Sequence, residues 1–253
     1  MQKKVVSLTV PLLILLSAFN AISVLSANKV VVNAAPTSPY IAVTPAKTMD
    51  PTLVLGKNYT VSIYTDYSGN DVWCWQFELF YNPNVLEGVE VVNGDLITTA
   101  KDPSARFIAG KFNNTLGVLS MTSAYFFYTP PSTPKVTSGP GTLAKVTFRV
   151  KTIGVSNIIL GENSQLLDAG ENKIIDAYFQ PDQIGHGYFH NIRGDLDGDL
   201  YVGPVDLNMF AAAYGKSKGQ SGYNPLADLD GDGYVGPVDL NIFAAAYGKR
   251  YKP

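Results

Sequence analysis

Two near-identical stretches, 33 residues apart, constrain this chain more than anything else in it. Residues 195–216 read DLDGDLYVGPVDLNMFAAAYGK and residues 228–249 read DLDGDGYVGPVDLNIFAAAYGK; they differ only at Leu200/Gly233 and Met209/Ile242. Such a repeat is one supersecondary unit that must bury its apolar side against its copy. Each copy sets aspartate at positions 1, 3, 5 and 12 of a loop: Asp195, Asp197, Asp199 and Asp206, then Asp228, Asp230, Asp232 and Asp239. This is the spacing of a calcium loop, in which carboxylates at alternate positions converge on a cation that takes six to eight oxygens. Tyr201 and Tyr234, at position 7, are expected to add backbone carbonyls. Gly203, at position 9, leaves its direction to a water. The bland alternative is a solvated acidic turn. Two spaced copies, each followed by an apolar segment, argue against it, and two Ca2+ ions are expected.

The segment after each loop predicts a short helix. Pro204 and Pro237 suit a first helical position. Leu207, Phe210, Ala211 and Tyr214, with Leu240, Phe243, Ala244 and Tyr247, recur at helical spacing and are expected to pack the two helices together. Gly215 and Gly248 fit the stops. Helices of this length are marginal alone, so ion binding should supply folding energy. No helix precedes either loop. A loop with only its exiting helix, duplicated, with aspartate at position 12, resembles the dockerin family, and the resemblance covers 193–252. It departs from pattern at Leu200, where a loop glycine is usual; a left-handed non-glycine costs on the order of 1 kcal/mol, which predicts a weaker first site. The resemblance implies partner contacts through Pro204, Val205, Ala211, Ala212 and Lys216, and their copies Pro237, Val238, Ala244, Ala245 and Lys249. Apart from the lysines these are small and apolar.

Upstream, residues 40–192 show short strand-like runs between turn residues: 40–43, 58–64, 72–81, 89–92, 105–112, 116–127, 142–152, 156–160 and 187–192. Over 72–81, Trp73, Trp75, Phe77, Leu79 and Tyr81 alternate with Cys74, Gln76, Glu78 and Phe80, and the first set reads as core. Over 142–152, Ala144, Val146, Phe148 and Val150 should point inward, and Leu143, Lys145, Thr147 and Arg149 outward. The stretch 128–141 carries four prolines and reads as a stiff exposed loop. Residues 77–87, 141–150 and 160–168 resemble strands of the cohesin family, a resemblance spanning 40–192. It implies a mainly β chain with a small α module: a cohesin-like jelly-roll β-sandwich over 40–192, then a two-repeat, EF-hand-like dockerin module over 193–253. A sandwich of this kind binds dockerins through one sheet face.

Lys3 and Lys4 precede a long apolar run, so 1–27 reads as an export signal, with an uncleaved anchor as the alternative; 28–39 reads as a linker. The remainder is then extracellular or at the cell surface. One cysteine, Cys74, leaves no internal disulfide. A net charge of −2 offers no basic footprint for nucleic acid. Asn58 and Asn113 head glycosylation sequons. His186 and His190 read as surface residues, and no nucleophile elbow or zinc motif is present. These readings point to a non-catalytic exported adaptor whose partners are cohesin- or dockerin-bearing exported proteins, with polysaccharide degradation as a possible setting. The alternative is a carbohydrate-binding sandwich tethered by its dockerin. With only Arg193 and Gly194 between the last strand and the first loop, the module should be unable to swing back onto its own sandwich's binding face, and any self-pairing would run between chains.

Overall fold

The computed structural model describes residues 39–67, 71–127, 136–137, 139–170, 173–176 and 184–252. The stretch read as an export signal (1–27), nearly all of that read as a linker (28–39) and much of the proline-rich stretch lie outside them. Among the described residues no helix is long and apolar enough to cross a membrane.

The alternation at 72–81 builds β4 (Cys74–Phe80), the middle of the larger sheet. All five residues of its apolar set are buried. Cys74 and Gln76, on the other face, are buried too, and Gln76 Nε2 donates to the Asn163 carbonyl (3.0 Å). On one edge β4 pairs with β8 (Val118–Phe126), which also carries β6 (Ala105–Ile108) and β7 (Phe112–Asn113). On the other edge lie β10 (Val155–Leu160) and β11 (Gln165–Leu167), the latter paired with β12 (Lys173–Asp176). Beyond β10 come β14 (Gly187–His190) and then β2 (Lys47–Met49), parallel to β14. The second sheet runs β13 (Ile184–Gly185), β1 (Tyr40–Thr44), β3 (Asn58–Asp66), β9 (Gly141–Val150), β5 (Leu86–Asn93). Aromatic rings join the two layers: Tyr59 lies 4.7 Å from Phe189, and Tyr81 5.0 Å from Phe148.

Two expectations are corrected here. Leu143 is buried, not solvent-facing. The β3–β9 register steps from Ile63↔Ala144 to Tyr64↔Thr142, so Leu143 is the extra residue of a bulge, which resets the alternation. The single run predicted over 105–112 is two strands, and β2, β11, β12 and β13 had no counterpart in the pattern. Strands of two to four residues are too short to show a period.

Downstream, α1 (Pro204–Ala213) and α2 (Pro237–Ala246) begin at the prolines as expected. Each ends just before a glycine of positive φ, Gly215 (77°) and Gly248 (84°). The helices meet through Phe210 and Phe243, whose rings stack at 5.0 Å. Ala213, Ala246, Val202, Val235, Leu196 and Leu229 complete this small core, and Val155 and Ile192 from the sandwich join it. The expected inner faces are turned. Leu207, Ala211 and Tyr214 are exposed, as are Leu240, Ala244 and Tyr247, while Asp206, Phe210 and Ala213 and their copies are buried. The reason lies in the loop. Its last aspartate sits in the first helical turn and must point inward, and residues four and seven places on follow it to that side.

Candidate docking and metal-binding site

Each loop folds around its own carboxylates. Asp195 Oδ1 accepts the Gly198 N–H (2.8 Å) and Oδ2 the Leu200 N–H (2.9 Å). Asp228 does the same with Gly231 (2.8 Å) and Gly233 (2.9 Å). Asp206 Oδ1 accepts Leu196 N–H (2.6 Å) and Asp197 N–H (3.2 Å), and its Oδ2 accepts Gly203 N–H (2.7 Å). Asp239 repeats this with Leu229 (2.6 Å), Asp230 (3.1 Å) and Gly236 (2.7 Å). These four aspartates are buried, and Asp197, Asp199, Asp230 and Asp232 are exposed. Asp195, Asp197, Asp199 and Asp206 each bring an oxygen within 4.8 Å of the others. In the second loop Asp228, Asp230 and Asp232 do so, and Asp239 stands outside that group.

The position-7 carbonyls are placed by short bridges. Leu200 and Val202 carbonyls accept Tyr251 and Gly248 N–H groups (both 2.8 Å), while Tyr201 N–H turns the other way onto Asp199 Oδ1 (2.8 Å). In extended backbone a residue's N–H and C=O share a side, so the bridge to Arg250 leaves the Tyr201 carbonyl, like its N–H, turned away from that partner. Tyr234 repeats the arrangement: its N–H donates to Asp232 Oδ1 (2.7 Å), between Gly233 and Val235 carbonyls that serve Lys218 and Gly215. Oxygen donors alone, most of them carboxylate, suit a hard divalent cation of the calcium kind. Gly203 and Gly236 have a further reason to be glycine. A Cβ there would stand 2.5 and 2.6 Å from the rings of Tyr201 and Tyr234.

Charge crowding is visible at the exposed positions. Partial desolvation and the carboxylates around them push Asp197 and Asp230 above the ordinary aspartate value. Asp195 goes the other way. Burial raises it, but the hydrogen bond and charge of His190 and the N–H groups of Gly198 and Leu200 hold it below the ordinary value.

His190 corrects an expectation. It is buried, and its Nε2 donates to Asp195 Oδ2 (2.8 Å). His186 is half-buried, and its Nδ1 accepts the Leu160 N–H (3.2 Å). Desolvation holds His186 below the ordinary imidazole value. The second loop has a counterpart in Tyr223, whose hydroxyl donates to Asp228 Oδ2 (2.6 Å). Desolvation and that carboxylate push the phenol up to about 12, so it stays a donor. Both residues lie outside the aligned stretches, and Tyr223 had no reading in the sequence. The repeat period carried the signal, because 190 and 223 are also 33 apart.

Leu200 has φ 69°, the one non-glycine at positive φ among the described residues. Its side chain packs on the small core, which offsets the backbone strain. On the outer helix surface, all ten positions assigned to partner contact are exposed. Around them lies an apolar stripe that repeats closely: Val205 56%, Leu207 41% and Tyr214 42% exposed, against Val238 54%, Leu240 41% and Tyr247 44%.

The sandwich has known relatives. The cohesin-domain profile matches residues 55–184, just over half of the chain. The chain belongs to the cohesin-domain family. The cohesin match ends before the first loop, so membership rests on the sandwich alone. No curated protein matches the chain. Among solved structures, the sixth cohesin of Acetivibrio cellulolyticus scaffoldin B, in complex with a mutant dockerin, is 16% identical; it covers 61% of this chain and 99% of that one, with a TM-score of 0.45. A non-cellulosomal cohesin from the archaeon Archaeoglobus fulgidus is 18% identical, covering 62% and 92%, with a TM-score of 0.42. A Clostridium thermocellum type I cohesin–dockerin complex matches at 13% identity, covering 60% and 96%, with a TM-score of 0.43.

Proposed function

We propose that this chain is an exported, non-catalytic adaptor with two docking surfaces of opposite kind. The cohesin sandwich receives a dockerin-bearing protein. The loop–helix repeat is a dockerin-like plug that folds on two calcium ions, through Asp195, Asp197, Asp199, Tyr201 and Asp206 and their copies, and inserts into a cohesin-bearing protein. A scaffold for polysaccharide-degrading enzymes is the setting that suits it. The observation that carries this reading is the duplicated apolar stripe on α1 and α2, left open beside a family sandwich. An exposed patch of Val, Leu and Tyr repeated on two helices is a protein contact surface. Calcium acts at a distance from that surface, by holding the loops that launch the helices.

Titration of the whole protein against isolated cohesins and isolated dockerins, in calcium and in chelator, tests it. Cohesin binding is expected in calcium only. Because the stripe is present twice, a partner can seat on either copy. Val205→Glu or Val238→Glu alone should therefore change affinity a few-fold, and the double variant should abolish it. Dockerin binding by the sandwich should survive both. Failure to bind either module at high micromolar concentration would sink the adaptor. A mass by light scattering that grows with concentration in calcium would favour pairing between copies instead.

A further inference from the structure

We propose that His190 and Tyr223 are paired positioning residues for the first carboxylate of each loop, and that His190 makes the first ion site part of the sandwich. Ion binding at loop one and the stability of the sandwich are then one linked equilibrium, while loop two stands apart. The inference rests on the calcium reading above.

The two loops hold their first aspartate with the same internal N–H pair, at the same distances. Each then takes one more donor on Oδ2 from a residue five places upstream, His190 (2.8 Å) or Tyr223 (2.6 Å). A carboxylate so held has both sites on Oδ2 taken and is fixed with its one remaining site, on Oδ1, for the ion, and holding a ligand in place is what an outer partner contributes to a metal site. The donors differ in where they are rooted. Tyr223 belongs to the segment between the repeats. His190 is the last residue of β14, paired with Met49 of β2 and Val155 of β10. Its own carbonyl accepts the Asp50 N–H (3.0 Å).

The rest of loop one is built on the same edge. A Cβ at Gly198 would lie 3.2 Å from the Met49 methyl, so the loop backbone rests on β2. Asn191 Nδ2 donates to the Leu53 carbonyl (2.7 Å) and Arg193 Nε to that of Pro51 (3.2 Å). Val155, Tyr188 and Ile192 form one wall of the small core. Loop two has a slighter neighbour there, Thr52 beside Gly231 (3.1 Å from the Cβ position). A ligand that binds only the folded state stabilises whatever unfolds with its site. At loop one, that unit includes β14 and β2.

Both tryptophans of the chain, Trp73 and Trp75, lie in the sandwich core, so their fluorescence reads the sandwich by itself. The test is calcium calorimetry and tryptophan-detected urea unfolding of the whole protein, for the natural chain, His190→Gln and Tyr223→Phe. The natural chain should bind two ions, and calcium should raise its tryptophan-detected midpoint. His190→Gln should weaken one ion tenfold or more and remove most of that rise. Tyr223→Phe should weaken the other ion and leave the rise intact, an arm that stands even if His190→Gln fails to fold. Natural affinity for both ions in folded His190→Gln would overturn the proposal and spare the calcium reading. So would equal loss of the calcium-dependent rise in Tyr223→Phe. A natural chain that binds no calcium would sink both.

Discussion

The two loops share almost every residue and almost every internal hydrogen bond, yet one takes its outer donor from the sandwich and the other from the segment between the repeats. Loop one rests on β2 and takes its outer donor from β14; loop two takes its donor from Tyr223. Sequence identity within a repeat therefore fixes the hydrogen bonds inside each loop, but not how all four carboxylates converge, since Asp239 stands outside its group, and it leaves the energetics to the surroundings. The same substitution at equivalent positions should have unequal effects wherever it reaches the junction, and equal effects elsewhere.

The largest difference is expected at the first aspartates. Asp195→Ala removes a buried acceptor and strands His190 in a fully enclosed site, at a cost toward the upper end of about 1–3 kcal/mol. Asp228→Ala strands a phenol on a less enclosed side and should cost about 1–3 kcal/mol. Urea unfolding in calcium measures both, and a larger loss for Asp228→Ala would break the comparison. That outcome would restore the expectation from Leu200 alone, that the first site is the weaker. Next come the stacked rings. Phe210→Ala and Phe243→Ala should each cost about 3–5 kcal/mol and differ little, because each fills the same shared core. Helical circular dichroism during unfolding checks this, and unequal losses would show that the module is not internally symmetric. Smallest is the exchange at the left-handed position. Gly233→Leu places a side chain at φ 90° with little around it, and should cost on the order of 1 kcal/mol. Leu200→Gly relieves similar strain but gives up burial of the same order, so its thermal midpoint should barely move.

Much of the carboxylate arrangement in the loops could be read from the chain because it depends on local spacing alone. Aspartates at alternate positions, a proline at the first helical turn and a glycine at its end each act within a few residues. The sandwich was legible where strands are long, as at β4, and hidden where they are short, as at β2 and β13. The helix face was misjudged because apolar periodicity does not register that Asp206 and Asp239 must point inward. His190 was misjudged for a different reason. Its burial depends on two strands and a loop that meet only in the folded chain, and nothing near residue 190 announces them.

The placement of β14 between β10 and β2 has a mechanical consequence. An adaptor of the kind proposed transmits whatever pull its two partners exert on one another. Tension on the loop–helix segment enters the sandwich through Asn191 at the end of β14, a strand hydrogen-bonded along both edges. Drawn along its own length, β14 cannot be peeled from its neighbours one bond at a time; it must slide past both together, breaking two ladders at once. The hold of Asn191 on Leu53 and of Arg193 on Pro51 spreads the same load into a second stretch of chain. The joint is thus arranged to withstand traction. Single-molecule extension should show the helices giving way before the sandwich opens.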